Sequence, residues 1–126
     1  MTTMFVRLKK ANFSLKEVAS QIFELLNLNN NEERESSNYI DGYYFVGYAS
    51  NASINVCLSD ESVMPDFPVW VTIKLPRSWA GPVSTSISTE PNVVAEILAK
   101  GGFEVFVPTG KWGLENWEES GTLYAA

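Results

Sequence analysis

Histidine is absent from the chain and cysteine occurs once, at Cys57. Without histidine, Ser-His-Asp and Cys-His catalysis, imidazole proton relays and the usual zinc ligand sets are excluded. A lone cysteine excludes an internal disulfide and a cysteine-based metal cluster, which fits a reducing cytoplasm. Cys57 itself stands inside an apolar run with no cation beside it in sequence. It reads as a small packed residue rather than a nucleophile. Apolar runs long enough to cross a bilayer are missing as well. So is the pattern of a secretory leader, because the charges of Met1 to Lys10 follow its apolar residues and no apolar core comes next. Asn12-Phe13-Ser14 and Asn51-Ala52-Ser53 match the glycosylation sequon, which the expectation of a chain without export makes a coincidence.

Cations are scarce: nine Lys and Arg against fifteen Asp and Glu leave a net charge of −6. That balance disfavours nucleic acid and anionic membranes as partners, since both need cations near phosphates. The charge is uneven. Residues 1–16 hold Arg7, Lys9, Lys10 and Lys16 without an acid, whereas residues 17–66 hold acids against Arg34 alone. Such a surface is either ordinary solvation or a face for a basic partner.

Phosphate-loop and nucleotide motifs fail on inspection. Gly110-Lys111 resembles the end of a phosphate-binding loop, but the first glycine would fall on Val105 and the terminal hydroxyl residue on Trp112. Gly101-Gly102 follows a helical pattern and so marks a stop, not a dinucleotide fingerprint. The acid pairs Asp60-Glu61 and Glu118-Glu119 have nothing beside them to raise one carboxyl's pKa for glycosidase chemistry. Asp60 and Asp66 lack the alternating oxygens and central glycine of a calcium loop. No cofactor or metal is implied.

With 45% hydrophobic and 13% aromatic residues over 126 positions, the chain suits a single domain, 1–126, able to bury a core without staples. Its best-specified stretch is Tyr43 to Leu75. Tyr43–Ala49 and Ser53–Ser59 flank a turn, and centring it on Asn51-Ala52 sets Ala49 opposite Ile54, Gly47 opposite Val56 and Phe45 opposite Leu58. Phe67–Leu75 alternates, with Val69, Val71, Ile73 and Leu75 on one side and Trp70, Thr72 and Lys74 on the other, as a third, antiparallel strand does. Met4–Leu8 reads as a short first strand with Phe5 inward.

Ser14-Leu15-Lys16-Glu17 is a capping box, with Phe13 and Val18 placed for a hydrophobic staple. Leu15, Val18, Ala19, Ile22, Phe23, Leu25 and Leu26 then recur at helical spacing. Asn27–Asn38, carrying Glu32, Glu33 and Glu35, reads as a polar loop, and Pro76–Ser88 as irregular chain. Thr89 or Glu90 caps a second helix with stripe Val93, Val94, Ile97 and Leu98, stopped at Gly101. Phe103–Val107 is a further strand, and Lys111–Ala126 carries no assignable pattern. The expected fold is α+β in the order (β)αβββαβ: a mostly antiparallel sheet of four to five strands. Both amphipathic helices should lie on the face made by Phe45, Val56, Val71 and Val105.

On the opposite face the alternation places Tyr44, Val46, Tyr48 and Trp70, while Trp112 and Trp117 stand in an acidic tail. Aromatic anchors ringed by carboxylates suit a protein interface with a basic partner, unless the tail closes over them. The partner-binding candidates are Asp60, Glu61, Asp66, Glu115, Trp117, Glu118 and Glu119.

A histidine-free acidic α+β chain with the run Tyr43–Leu75, the strand VWVTIKL and the closing segment GGFEVFVPTGKW resembles the immunity proteins of bacterial contact-dependent inhibition and other polymorphic toxin systems. The resemblance is one of design, and no residue roles transfer by position. It implies a cytoplasmic, non-catalytic inhibitor that binds a cognate toxin domain, often a nuclease with a basic cleft. A regulatory or phage-encoded protein-binding module, and a small enzyme or ligand-binding protein, are the competing readings. Gene neighbourhood separates them, since an immunity gene sits directly downstream of its toxin gene.

Overall fold

Ser14 starts the first helix as its side chain predicts: the hydroxyl accepts from the Glu17 N–H at 3.1 Å, and α1 runs Leu15–Leu25. The computed structural model describes residues 2–8, 14–37, 42–58, 67–74, 87–109 and 120–125. Leu15, Val18, Ala19, Ile22 and Phe23 form the buried stripe of α1. The helix ends at Asn27, whose φ of 59° is the left-handed conformation that asparagine tolerates at a helix stop.

The chain is α+β, with element order β1 (Thr2–Leu8), α1, β2 (Asn31–Glu35), β3 (Tyr43–Tyr48), β4 (Ser53–Leu58), β5 (Val69–Lys74), α2 (Pro91–Lys100), β6 (Phe103–Pro108) and β7 (Gly121–Tyr124). The strands form one sheet in the order β2-β3-β4-β5-β1-β6-β7. Every neighbouring pair is antiparallel.

Among the described residues seven strands replace the expected four to five, because β2 and β7 have no buried apolar face to betray them. All five side chains of β2 are exposed, so the segment expected to be a polar loop is an edge strand of charged residues. Edges with such side chains discourage indiscriminate pairing. In β7 only Tyr124 is even half-buried.

The core lies between the helices and one sheet face. Phe45, Val56, Val71 and Val105 are all in it, as the alternation predicts, together with Met4, Ile54, Ile73 and Phe103. Paired positions Phe45, Val56, Val71 and Met4 make a continuous row across four strands. In β1 it is Met4, at 0% exposure, that faces Val71, and the register sets Phe5 against Trp70 instead. The expectation that Phe5 points inward falls on a side chain outside those described.

The β3–β4 hairpin keeps the predicted faces but shifts the pairing by two residues. Gly47 pairs with Ile54 and Phe45 with Val56. An even shift preserves which side chains meet the core. The loop is Ala49–Ala52, closed by the Ala49 N–H donating to the Ala52 carbonyl at 2.9 Å. Asn51 serves a different purpose from a left-handed turn. Its amide donates to the Ile87 carbonyl at 2.6 Å and accepts from the Ile87 N–H at 3.0 Å, tying the segment before α2 to the hairpin.

Gly47 is required by packing: a Cβ there would stand 2.8 Å from the Phe23 ring and 3.1 Å from Leu28. The absent side chain lets α1 and the turn after it settle directly on the sheet.

In α2 the buried residues are Val94, Ala95, Leu98 and Ala99, while Val93 is 38% exposed. The stripe is rotated from the expected Val93, Val94, Ile97 and Leu98 because the two alanines let the helix approach the sheet closely. Glu90 is the N-cap, Pro91 opens the helix and Gly101 caps its end. Gly102, at φ +103°, makes the reversal into β6.

Candidate functional site

The positions singled out as partner-binding, Asp60, Glu61, Asp66, Glu115, Trp117, Glu118 and Glu119, lie outside the described residues, as do the staple residue Phe13, Leu75 and most of Pro76–Ser88. Among the described residues, Glu32, Glu33 and Glu35 stand together on the β2 edge. The polar composition of Asn27–Asn38 predicts a loop for Glu32, Glu33 and Glu35. The available signal was Asp41-Gly42 just before β3, a dipeptide that commonly turns one strand into the next.

Hydrogen-bond parity fixes what β2 offers. The Tyr48 N–H donates to the Asn30 carbonyl and the Ser36 N–H to the Gly42 carbonyl, each at 2.8 Å. In an antiparallel pair, inward and outward residues alternate. Residues 30, 32, 34 and 36 therefore bond to β3, and the N–H and C=O groups of Asn31, Glu33 and Glu35 point to the open side of the sheet. All of β2 is exposed, so this row of donors and acceptors is accessible.

Side chains of β2 divide between the two faces. Glu32 and Arg34 lie beside Val46 and Tyr44 on the face away from the helices. The Tyr48 hydroxyl donates to Glu32 Oε1 at 2.8 Å, and Arg34 Nε approaches the same oxygen at 3.5 Å. Burial first, then the hydrogen bond and charge of Glu32, push the Tyr48 phenol above its usual pKa. Arg34 is held firmly protonated by Tyr44, Tyr48 and Glu32. Glu33 and Glu35 project on the helix side, in register with Phe45 and Tyr43. There a groove of about 350 Å³ runs between α1 and the edge, lined by Lys16, Ala19, Ser20, Phe23, Asn31, Glu32, Glu33 and Phe45.

Beyond this network the second face is partly covered. Val46, Asn55, Cys57 and Thr72 are buried, and Tyr44, Tyr48 and Trp70 are half-buried. Cys57 is buried and packed in the sheet, as its sequence context suggests. No group of three or more potential metal-ligating side chains occurs among the described residues. No helix among them is long and apolar enough to cross a membrane.

Comparison with protein families, with characterised proteins and with solved structures finds no match to this chain.

Proposed function

We propose that this protein is a non-catalytic inhibitor of the immunity type, which binds a basic toxin domain in the cytoplasm and neutralises it. The observation that carries the reading is the open, uniformly exposed edge strand β2, with Glu33 and Glu35 beside it and Glu32 organised by Tyr48 and Arg34. Carboxylates held on a rigid sheet steer a cationic partner, and half-buried Tyr44, Tyr48 and Trp70 supply amphipathic rings near the same end. Asp60, Glu61 and Asp66, between β4 and β5 in sequence, and Glu115, Trp117, Glu118 and Glu119, before β7, are the further partner-binding candidates of this proposal.

The test is expression of the chain with the toxin domain encoded directly upstream, combined with binding kinetics at two salt concentrations. The parent should rescue growth. Changing Asp60, Glu61 and Asp66 to Lys should slow association and flatten its salt dependence, whereas Trp117→Ala should speed dissociation at a cost of roughly 2 kcal/mol. A locus without an upstream toxin, or a parent protein that rescues nothing, would reject the immunity reading.

A further inference from the structure

We infer that the partner is captured by strand addition: an extended segment with Lys or Arg at alternate positions pairs with β2 and becomes an eighth strand. This inference rests on the protein-binding reading above and specifies how the partner is held.

The backbone row of Asn31, Glu33 and Glu35 faces away from β3 and is exposed, so three residues' donors and acceptors await a ladder. Side-chain chemistry selects the occupant. Residues of an incoming antiparallel strand that bond to the outward groups of β2 stand directly opposite Glu33 and Glu35, and their side chains share the helix-side face with those carboxylates. Lys or Arg at these positions forms cross-strand charge pairs. Its aliphatic stem fits the groove along Ala19 and Phe23, as long basic side chains do on apolar surface.

A second copy paired about Glu33 would set Glu33 against Glu33 and Glu35 against the uncharged Asn31 on the helix-side face, with Glu32 against Arg34 on the other, whereas a basic strand meets both Glu33 and Glu35 with cations. The other sheet edge, β7, has the sequence Gly-Thr-Leu-Tyr and no charge to discriminate with. Charge complementarity therefore points to β2 and to a basic strand.

The probe is a blocked heptapeptide of alternating Lys and Val, which presents every Lys on one face. Bound to the intact protein, it should protect the amides of Asn31, Glu33 and Glu35 from hydrogen exchange. The register gives a sharper discriminator. N-methylation of the Lys amides removes the donors that meet β2 and should weaken binding about tenfold, whereas N-methylation of the Val amides, which point outward, should leave it near the parent value. On the protein, Glu33→Pro deletes an outward N–H that no native ladder bond uses, and Glu33→Gln removes the same charge but keeps the N–H. Proline should therefore cost much more affinity than glutamine at equal melting temperature. Equal binding of both methylated peptides, or unprotected edge amides, would overturn strand addition and leave attraction by charge alone.

Rescue assays keep the two proposals apart. If the parent and Glu33→Pro rescue equally from the upstream toxin, the immunity reading stands and strand addition falls. If the peptide protects the edge but the parent rescues nothing, the edge stands and the immunity reading falls.

Discussion

Tyr48 couples the edge strand to the sheet through one hydrogen bond across 16 positions of sequence, at 2.8 Å to Glu32. Burial and the neighbouring carboxylate both disfavour its phenolate, so its pKa in the folded chain lies above the ordinary 10.0. Below the unfolded value Tyr48 is protonated in both states and this contribution to stability is complete. As pH rises past that value toward the folded one, the unfolded chain loses the proton first, and the contribution is lost. Tyr48 should therefore contribute a late step to an absorbance titration. In Tyr48→Phe the late step should vanish, and the fall in urea midpoint above about pH 10 should be shallower than in the parent. Titrations of parent and variant that differ only in amplitude, by one tyrosine of five, would show that the phenol is not held by Glu32. Cys57, buried in the sheet, offers the contrasting case: the expectation from sequence and the structure agree that it packs.

At the scale of elements, the helix start is the most local feature and so the easiest to test. Ser14→Ala with Glu17→Ala removes the hydroxyl that accepts from the Glu17 N–H and the carboxylate that also receives Gln21 at 3.4 Å. The pair should cost on the order of 1–2 kcal/mol, read as a lowered urea midpoint with unchanged slope. An unchanged midpoint would mean that the cap contributes nothing. The same locality explains what the sequence disclosed. The cap of α1, the alternation of β5 and the shared apolar face of β3 and β4 are written in neighbouring residues, because each element buries one side. Hairpin faces were readable but register was not, since a shift of two leaves the pattern of buried residues unchanged. Asn51 was spent on Ile87 rather than on the turn. The acidic edge could not be read from periodicity, because a strand with every side chain in water has no apolar period. Its Glu32–Tyr48 contact also depends on the pairing of β2 with β3, which local sequence does not specify.

For the whole molecule, the N-terminal strand has the decisive position. β1 lies between β5 and β6, and in the sheet order it alone joins the four strands β2-β3-β4-β5 to the pair β6-β7. Met4 sits at that junction with 0% exposure, in one core cluster with residues of both helices and with Val56, Val71 and Val105. A core shared across the junction should unfold as a unit, since neither part can expose its apolar face to water alone. Met4→Ala leaves a cavity there and should destabilise by about 2–5 kcal/mol. The loss should reach both sides equally: native-state hydrogen exchange should show the amides of β4 and β6 losing the same opening free energy. If β6 and α2 lost protection while β4 kept it, or the reverse, the sheet would comprise two cooperative units meeting at β1. That outcome would matter for binding, because a partner strand added at β2 is stabilised by the rigidity of the sheet behind it. With one cooperative unit, Met4→Ala should weaken edge protection no more than it weakens the core, and the β2 amides should open by local fraying at the same rate as in the parent.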